Sequence, residues 1–209
     1  EHFIAEHAVT LLGDIADDRA FHLLETAYMT ARNVWVKINV LSVYHRASQA
    51  RILEFLKRTG VLQCPEDNIR ATAVAMLGRV NNPTLARVFL GMMKDKNDRV
   101  RANAVEGLGA CMTGPQLAHF LFPLVEDKNN RVRANALVLL LKQGMRQAER
   151  YLTEMVQHAN ALFRASAAFV LGEIPYAPNR RELLNTLLDD SHSMVSKQAE
   201  RALEKRVAA

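Results

Sequence analysis

The chain has 209 residues, 49% hydrophobic, 23% charged and 6% aromatic, with a formal net charge of +5. Enough apolar residue is present to bury a large core, so a disordered chain is excluded. No apolar run approaches the roughly 18 residues a membrane-spanning helix needs.

Taken in chain order, one pattern recurs. An apolar anchor is followed four residues later by a small or apolar residue, and eight later by Leu or Tyr. It occurs at Ile4, Val36, Ile69, Val100, Val132, Phe163 and Val195, so the spacings are 32, 33, 31, 32, 31 and 32 residues. At about 100° per residue the three positions form one stripe of an amphipathic helix. Between copies lie further amphipathic segments, at 19–28, 49–57, 83–94, 115–126, 146–157 and 179–189. Pro83 and Pro115 fall where a helix can begin, because a first-turn residue needs no N–H, whereas Pro123 lies inside its segment and is expected to kink it. Each repeat therefore reads as a helical hairpin. Two short helices cannot bury their apolar faces alone, so the hairpins must stack. The expected fold is all-α, an α-solenoid of about six and a half antiparallel hairpins of 31–33 residues, with residues 1–209 as a single repeat domain. The array opens on an anchored helix lacking its hairpin partner, so a parent protein longer at its N-terminus is expected.

The motif Asp-(x)4-Val-Arg-(x)2-Ala-(x)3-Leu resembles the HEAT repeat, including the HEAT-like variants of bilin lyases. It stands at Asp95, Val100, Arg101, Ala104 and Leu108, and again at Asp127, Val132, Arg133, Ala136 and Leu140. The resemblance covers essentially the whole chain and implies a right-handed superhelix whose anchored helices line a concave surface. It is specific for fold and unspecific for function.

A basic residue follows the anchor in five copies, as Lys37, Arg70, Arg101, Arg133 and Arg164, and Asp95 and Asp127 lie six residues before two of these. Recurrence favours architecture. The reading is a structural ladder in which each Arg spans the inter-helix turn and Asp and backbone carbonyls accept its forked donors. Asp190 has Ser196 where Arg should stand, so a weaker final rung is expected. A polar row three past the anchor, at Asn39, Thr72, Asn103, Asn135, Ser166 and Gln198, is expected to bond the neighbouring repeat. Gly13, Gly78, Gly109 and Gly172 read as close-packing positions, and Trp35, the sole Trp, as a packing residue at a turn.

Positions six and ten past the anchor face outward. There Val138 and Phe169 offer apolar anchors, and Arg46, Arg79 and Lys142 charged ones, for a protein or peptide partner. No phosphate loop, nucleophile elbow or HExxH motif is present. Some HEAT-like hydroxylases hold two irons with His-Glu dipeptides, but none of the seven His here is followed by Glu. Glu1-His2 and Glu6-His7 have the reverse order. Cys64 and Cys111 lack metal-ligand spacing and read as reduced thiols. No catalytic residue, cofactor or metal is expected.

The function expected is a cytoplasmic, non-enzymatic protein-interaction scaffold. An accessory or bilin-lyase-like subunit is the alternative, and a nucleic-acid binder comes third. The charge does not favour nucleic acid. Setting aside the five basic and two acidic ladder residues leaves 22 basic against 20 acidic, and residues 1–104 and 105–209 carry nearly equal excesses.

Overall fold

A computed structural model describes residues 2–80, 82–175 and 177–207, with side chains described for 7–80, 82–175 and 177–205. The positions expected of Glu1, of the Ile4 side chain and of the Glu1-His2 and Glu6-His7 pairs lie outside these. Thirteen α-helices stand among the described residues, and the chain divides into two compact units, Glu1–Cys111 and Met112–Ala209.

In the first unit the anchored helices are α1 (His2–Ile15), α3 (Val34–Tyr44), α5 (Asp67–Gly78) and α7 (Asp98–Cys111). They alternate with α2 (Asp18–Thr30), α4 (Gln49–Thr59) and α6 (Ala86–Met92). Helices α1, α3, α5 and α7 pack in sequence as one layer. In the second unit α9 (Asn130–Lys142), α11 (Ala161–Glu173) and α13 (Ser193–Val207) form the corresponding layer. Here α8 (Gly114–Leu121), α10 (Glu149–Val156) and α12 (Pro178–Leu188) supply the other helix of each hairpin.

The anchored helices start where they do because of a local device. Asn33, Asn97, Asn129 and Asn160, each three residues before its anchor, accept a hydrogen bond from the backbone N–H two residues on, satisfying a free helix donor. Two residues earlier, Asp95, Asp127 and Asp190 accept the N–H of the residue at the capping position, at 2.8, 2.8 and 2.9 Å. Pro83 opens a 3₁₀ turn, Pro83–Leu85, capped by the Asn82 side chain, and Pro115 sits in the first turn of α8. Pro123 does more than kink its segment. The α-helix ends at Leu121 and a 3₁₀ stretch, Phe122–Glu126, replaces it, because proline removes a donor and crowds the preceding turn.

The stripe is buried at Ile69, Ala73 and Leu77, at Val100, Ala104 and Leu108, at Val132, Ala136 and Leu140, and at Phe163, Ala167 and Leu171. The outer helices depart from the expected pattern. Ala8 is exposed and Leu12 half-buried in α1, and Leu203 is 43% exposed in α13. Among the described residues α1 and α13 each pack against one helix of their own layer, α3 and α11, so part of each stripe stays uncovered. In the first unit Phe21, Tyr28, Tyr44 and Phe55 form an aromatic core, with the Tyr44 and Phe55 ring centroids 4.4 Å apart.

Close packing assigns the glycines unevenly. A Cβ on Gly13 would lie 2.7 Å from the Val43 Cβ, and one on Gly78 would make ordinary contact with the Gly107 backbone, 3.6 Å from its Cα. Gly107, outside the recurrent glycine register, is tightly constrained, since a Cβ there would come within 2.3 Å of the Phe89 ring. Cys64 and Cys111 are free thiols, half-buried and with pKa values raised by burial.

Candidate functional site

The recurrent basic residues occupy the inter-helix turns, in a register different from the expected one. Arg70, 5% exposed, donates to the carbonyls of Cys64 and Pro65 in its own turn, at 2.6 and 3.0 Å. Its remaining donors reach Asp67 at 2.6 Å and, bidentately, Asp95 of the next repeat at 3.0 Å. Arg164 repeats the arrangement, donating to the His158 and Ala159 carbonyls and to Asp190 at 2.6 and 3.1 Å. Arg101 donates to the Asp95 and Lys96 carbonyls, and Arg133 to those of Asp127 and Glu126. The carboxylate partner of Arg70 or Arg164 thus lies 25 or 26 residues downstream, whereas its own turn supplies carbonyls. Asp190 is therefore no weak rung, and the expectation drawn from Ser196 is corrected, because Asp190 serves the arginine of the preceding repeat. Among the described residues Lys37 takes no part in such bonding. It lies over the Tyr28 ring, 5.3 Å from the centroid, since a single ammonium cannot reproduce the guanidinium fork.

These contacts set the charge states. Burial pushes the Asp95 carboxyl up, but the bonds from Arg70 and from the Asn97 N–H outweigh it and hold the pKa below the usual value. The Arg164 bond lowers Asp190 against a smaller effect of burial. Both remain ionised.

Two further ion-pair networks lie in the other helices. Glu25, 7% exposed on α2, accepts the Tyr44 hydroxyl at 2.5 Å, an Arg51 N–H at 3.2 Å and a bond from Arg58. Burial alone would raise its pKa, yet these donors hold it low. A cleft of about 270 Å³ beside it is lined by His22, Arg51, Glu54 and Arg58. In the second unit Arg180, 8% exposed, reaches Glu149 at 2.5 Å and the Pro175 carbonyl. The sequence carried a faint signal for the first: Glu25 sits among Phe21, Leu24 and Tyr28, an acid on an apolar face. No comparable signal marks Arg180. Among the described residues no cluster of His, Cys, Asp or Glu could hold a metal, and no helix is long and apolar enough to cross a membrane.

The outward face of the anchored helices is a grid. Positions one before the anchor and three, six and ten after it fall on one side of a helix. In the first unit the grid is mostly polar and bonded. Arg46 pairs with Asp14 at 2.5 Å, Arg79 donates to the Ser42 carbonyl, Arg99 reaches Asn68, and Asn103 donates to the Ala71 carbonyl of the adjacent helix at 2.8 Å. Its exception is Trp35, 67% exposed, which corrects the packing role expected of it. Placed one before the anchor, its ring projects away from the stripe.

In the second unit the grid carries Arg131, Leu162 and Met194 in the first row, Val138, Phe169 and Arg201 in the third, and Lys142, Glu173 and Lys205 in the fourth. Leu162, Phe169 and Met194 are 50%, 38% and 38% exposed. Val138 is only 9% exposed and does not stand open as expected. Helix α9 packs against α11 within this layer, and the short Val138 side chain is largely covered there. Lys142 and Lys205 share Glu173. The row preceding the anchor, which carries Trp35, Leu162 and Met194, was legible only as large apolar residues beside the anchors.

Comparison with known proteins bears on fold. Among solved structures, the phycocyanin lyase CpcE–CpcF complex of Nostoc is similar at 16% identity and a TM-score of 0.59, covering 99% of this chain and 88% of that one. The HEAT-like repeats protein of the archaeon Thermococcus onnurineus matches at 14% identity and a TM-score of 0.51, covering 98% and 92%. The YibA protein of Escherichia coli matches at 16% and 0.59, covering 96% and 74%. At such identities the likeness is one of fold. No curated protein matches the sequence. The family model for HEAT repeats matches residues 55–131 and 118–204, more than half of the chain, and the two stacked layers just described have the matching hairpin repeat: the chain belongs to the HEAT repeat family.

Proposed function

We propose that this protein is a non-enzymatic, cytoplasmic interaction module that binds a protein or peptide partner along the outward face of its anchored helices. The observation carrying this reading is the exposure, at repeating positions of the anchored helices, of Trp35 in the first unit and of Leu162, Phe169 and Met194 in the second. Large apolar side chains at a regular register act as anchors when a partner's side chains fit between them. Arg46 and Arg79 in the first unit and Lys142 in the second add charged contacts beside these anchors, while Val138 is largely covered. The turn-spanning arginines hold the rows in register and belong to the frame.

Affinity capture from the native cell, with wild-type protein and an Arg46→Glu/Arg79→Glu/Lys142→Glu variant of unchanged melting temperature, tests the reading. The variant is expected to lose captured proteins. An unchanged captured set, together with no effect of Phe169→Ser, would show that the face is not the binding surface.

A further inference from the structure

The second unit's face is specific enough to define the chemistry of its partner. Leu162 and Phe169 are seven residues apart on α11, two turns along one side, and Met194 occupies the Leu162 register on α13. The two helices approach closely, since a Cβ on Gly172 would lie 3.0 Å from the Ala202 Cβ. On the other side, the Asn130 amide donates to the Leu162 carbonyl and the Ser166 hydroxyl, bringing the first turn of α9 beside that of α11. The apolar residues thus lie across two adjacent helices and are flanked by cations. On the adjacent helices Arg131 holds the register of Leu162 and Arg201 that of Phe169, and neither guanidinium has a partner among the described residues. Lys142 and Lys205 add two cations against the single carboxylate of Glu173. At these register positions the apolar residues are therefore accompanied by four cations and one anion.

Resting on the proposed function, we infer that this face binds an acidic amphipathic segment of another protein, with apolar side chains in the Leu162–Phe169–Met194 strip and carboxylates on Arg131 and Arg201. Nucleic acid supplies negative charge without the apolar side chains. A basic or neutral helix leaves both arginines facing no counter-charge.

The probes are three fluorescein-labelled peptides of equal length: an amphipathic Leu/Glu helix, its Leu/Lys counterpart, and a Ser/Glu peptide without Leu. A 20-base-pair DNA duplex and vesicles of 70% phosphatidylcholine and 30% phosphatidylserine complete the set. Anisotropy with the full chain is expected to show the Leu/Glu peptide binding at least about tenfold more tightly than the other two peptides, with weakening as salt rises. Phe169→Ser with Leu162→Ser should lower that affinity about tenfold or more. Arg131→Glu with Arg201→Glu should reverse the preference toward the Leu/Lys peptide, a readout that a folding defect would not produce. Equal binding of both amphipathic peptides, binding indifferent to these variants, or preferential binding of DNA or vesicles would overturn the inference. A photo-crosslinker at position 169 separates this failure from that of the broader reading. Crosslinking in cells to a protein whose contact segment is not acidic and amphipathic leaves the interaction module standing and removes only the inference, whereas no protein adduct removes both.

Discussion

The two units repeat the same register and use it differently. In Glu1–Cys111 the outward arginines are bonded within the unit, Arg46 to Asp14, Arg79 to the Ser42 carbonyl and Arg99 to Asn68, and among the described residues Trp35 is the one large apolar side chain exposed in their register. In Met112–Ala209 the equivalent surface leaves Arg131 and Arg201 without partners among the described residues and exposes three large apolar side chains. The turns show the converse asymmetry. Arg70 is buried between two carboxylates, whereas the Arg164 side chain, 19% exposed, has one. Position in a repeat therefore decides where a side chain points. Whether it is available for a partner depends on which neighbours saturate it.

The largest test of this contrast is in the turns. Arg70→Ala strands Asp95 and is expected to cost about 3 kcal/mol, as for a buried pair deprived of one member. Arg164→Ala should cost about 1 to 2 kcal/mol, because it breaks one carboxylate pair instead of two. Chemical denaturation of both variants measures the difference, and equal losses would erase the distinction between the two turns.

Next come the close approaches. Gly107→Ala forces a methyl group into the Phe89 ring and should destabilise by about 2 kcal/mol, while Gly172→Ala, whose neighbour is the Ala202 methyl, should cost about 1 kcal/mol. Thermal melts rank them, and a reversed order would mean that the Phe89 ring gives way more easily than α13.

Acid should act on both units through carboxylates whose folded-state pKa values are depressed. Glu25, Asp95 and Asp190 bind protons more readily unfolded than folded, so their contribution is complete above the ordinary carboxylate range and drains away as the pH falls through it to their lowered values. Glu25→Gln should flatten the acid limb of the stability curve, and a curve parallel to wild type would show that Glu25 is not held ionised by Tyr44 and the two arginines.

The smallest expected effect lies on the face itself. Leu162→Ser and Phe169→Ser should alter stability by no more than about 0.5 kcal/mol, since neither is buried. A loss of several times that would place these residues in the core and remove them from the candidate surface.

Much of the architecture is legible from residue spacing. The anchors at Ile69, Val100, Val132 and Phe163 are buried with their partners four and eight residues later, as the helical period requires. The recurrent arginines also announce themselves by their position after the anchor. Their pairing does not, because residues six apart in a turn and residues 25 apart in adjacent repeats are both near, and only the folded turn shows which oxygen each guanidinium faces. Trp35 and Val138 illustrate the same limit. A hydrophobic residue on a helix rim can be open or covered, and the choice rests on how the neighbouring elements pack around it.

What the sequence determined by itself is the period, the hairpin and the buried stripe, since these follow from helix geometry and from the exclusion of apolar surface from water. Tertiary structure alone decided the partner of each charged group, the tight contact of Gly107 with Phe89, and the contrast between a self-bonded face and an open one. Those depend on distances between side chains from different repeats, which a one-dimensional pattern does not contain.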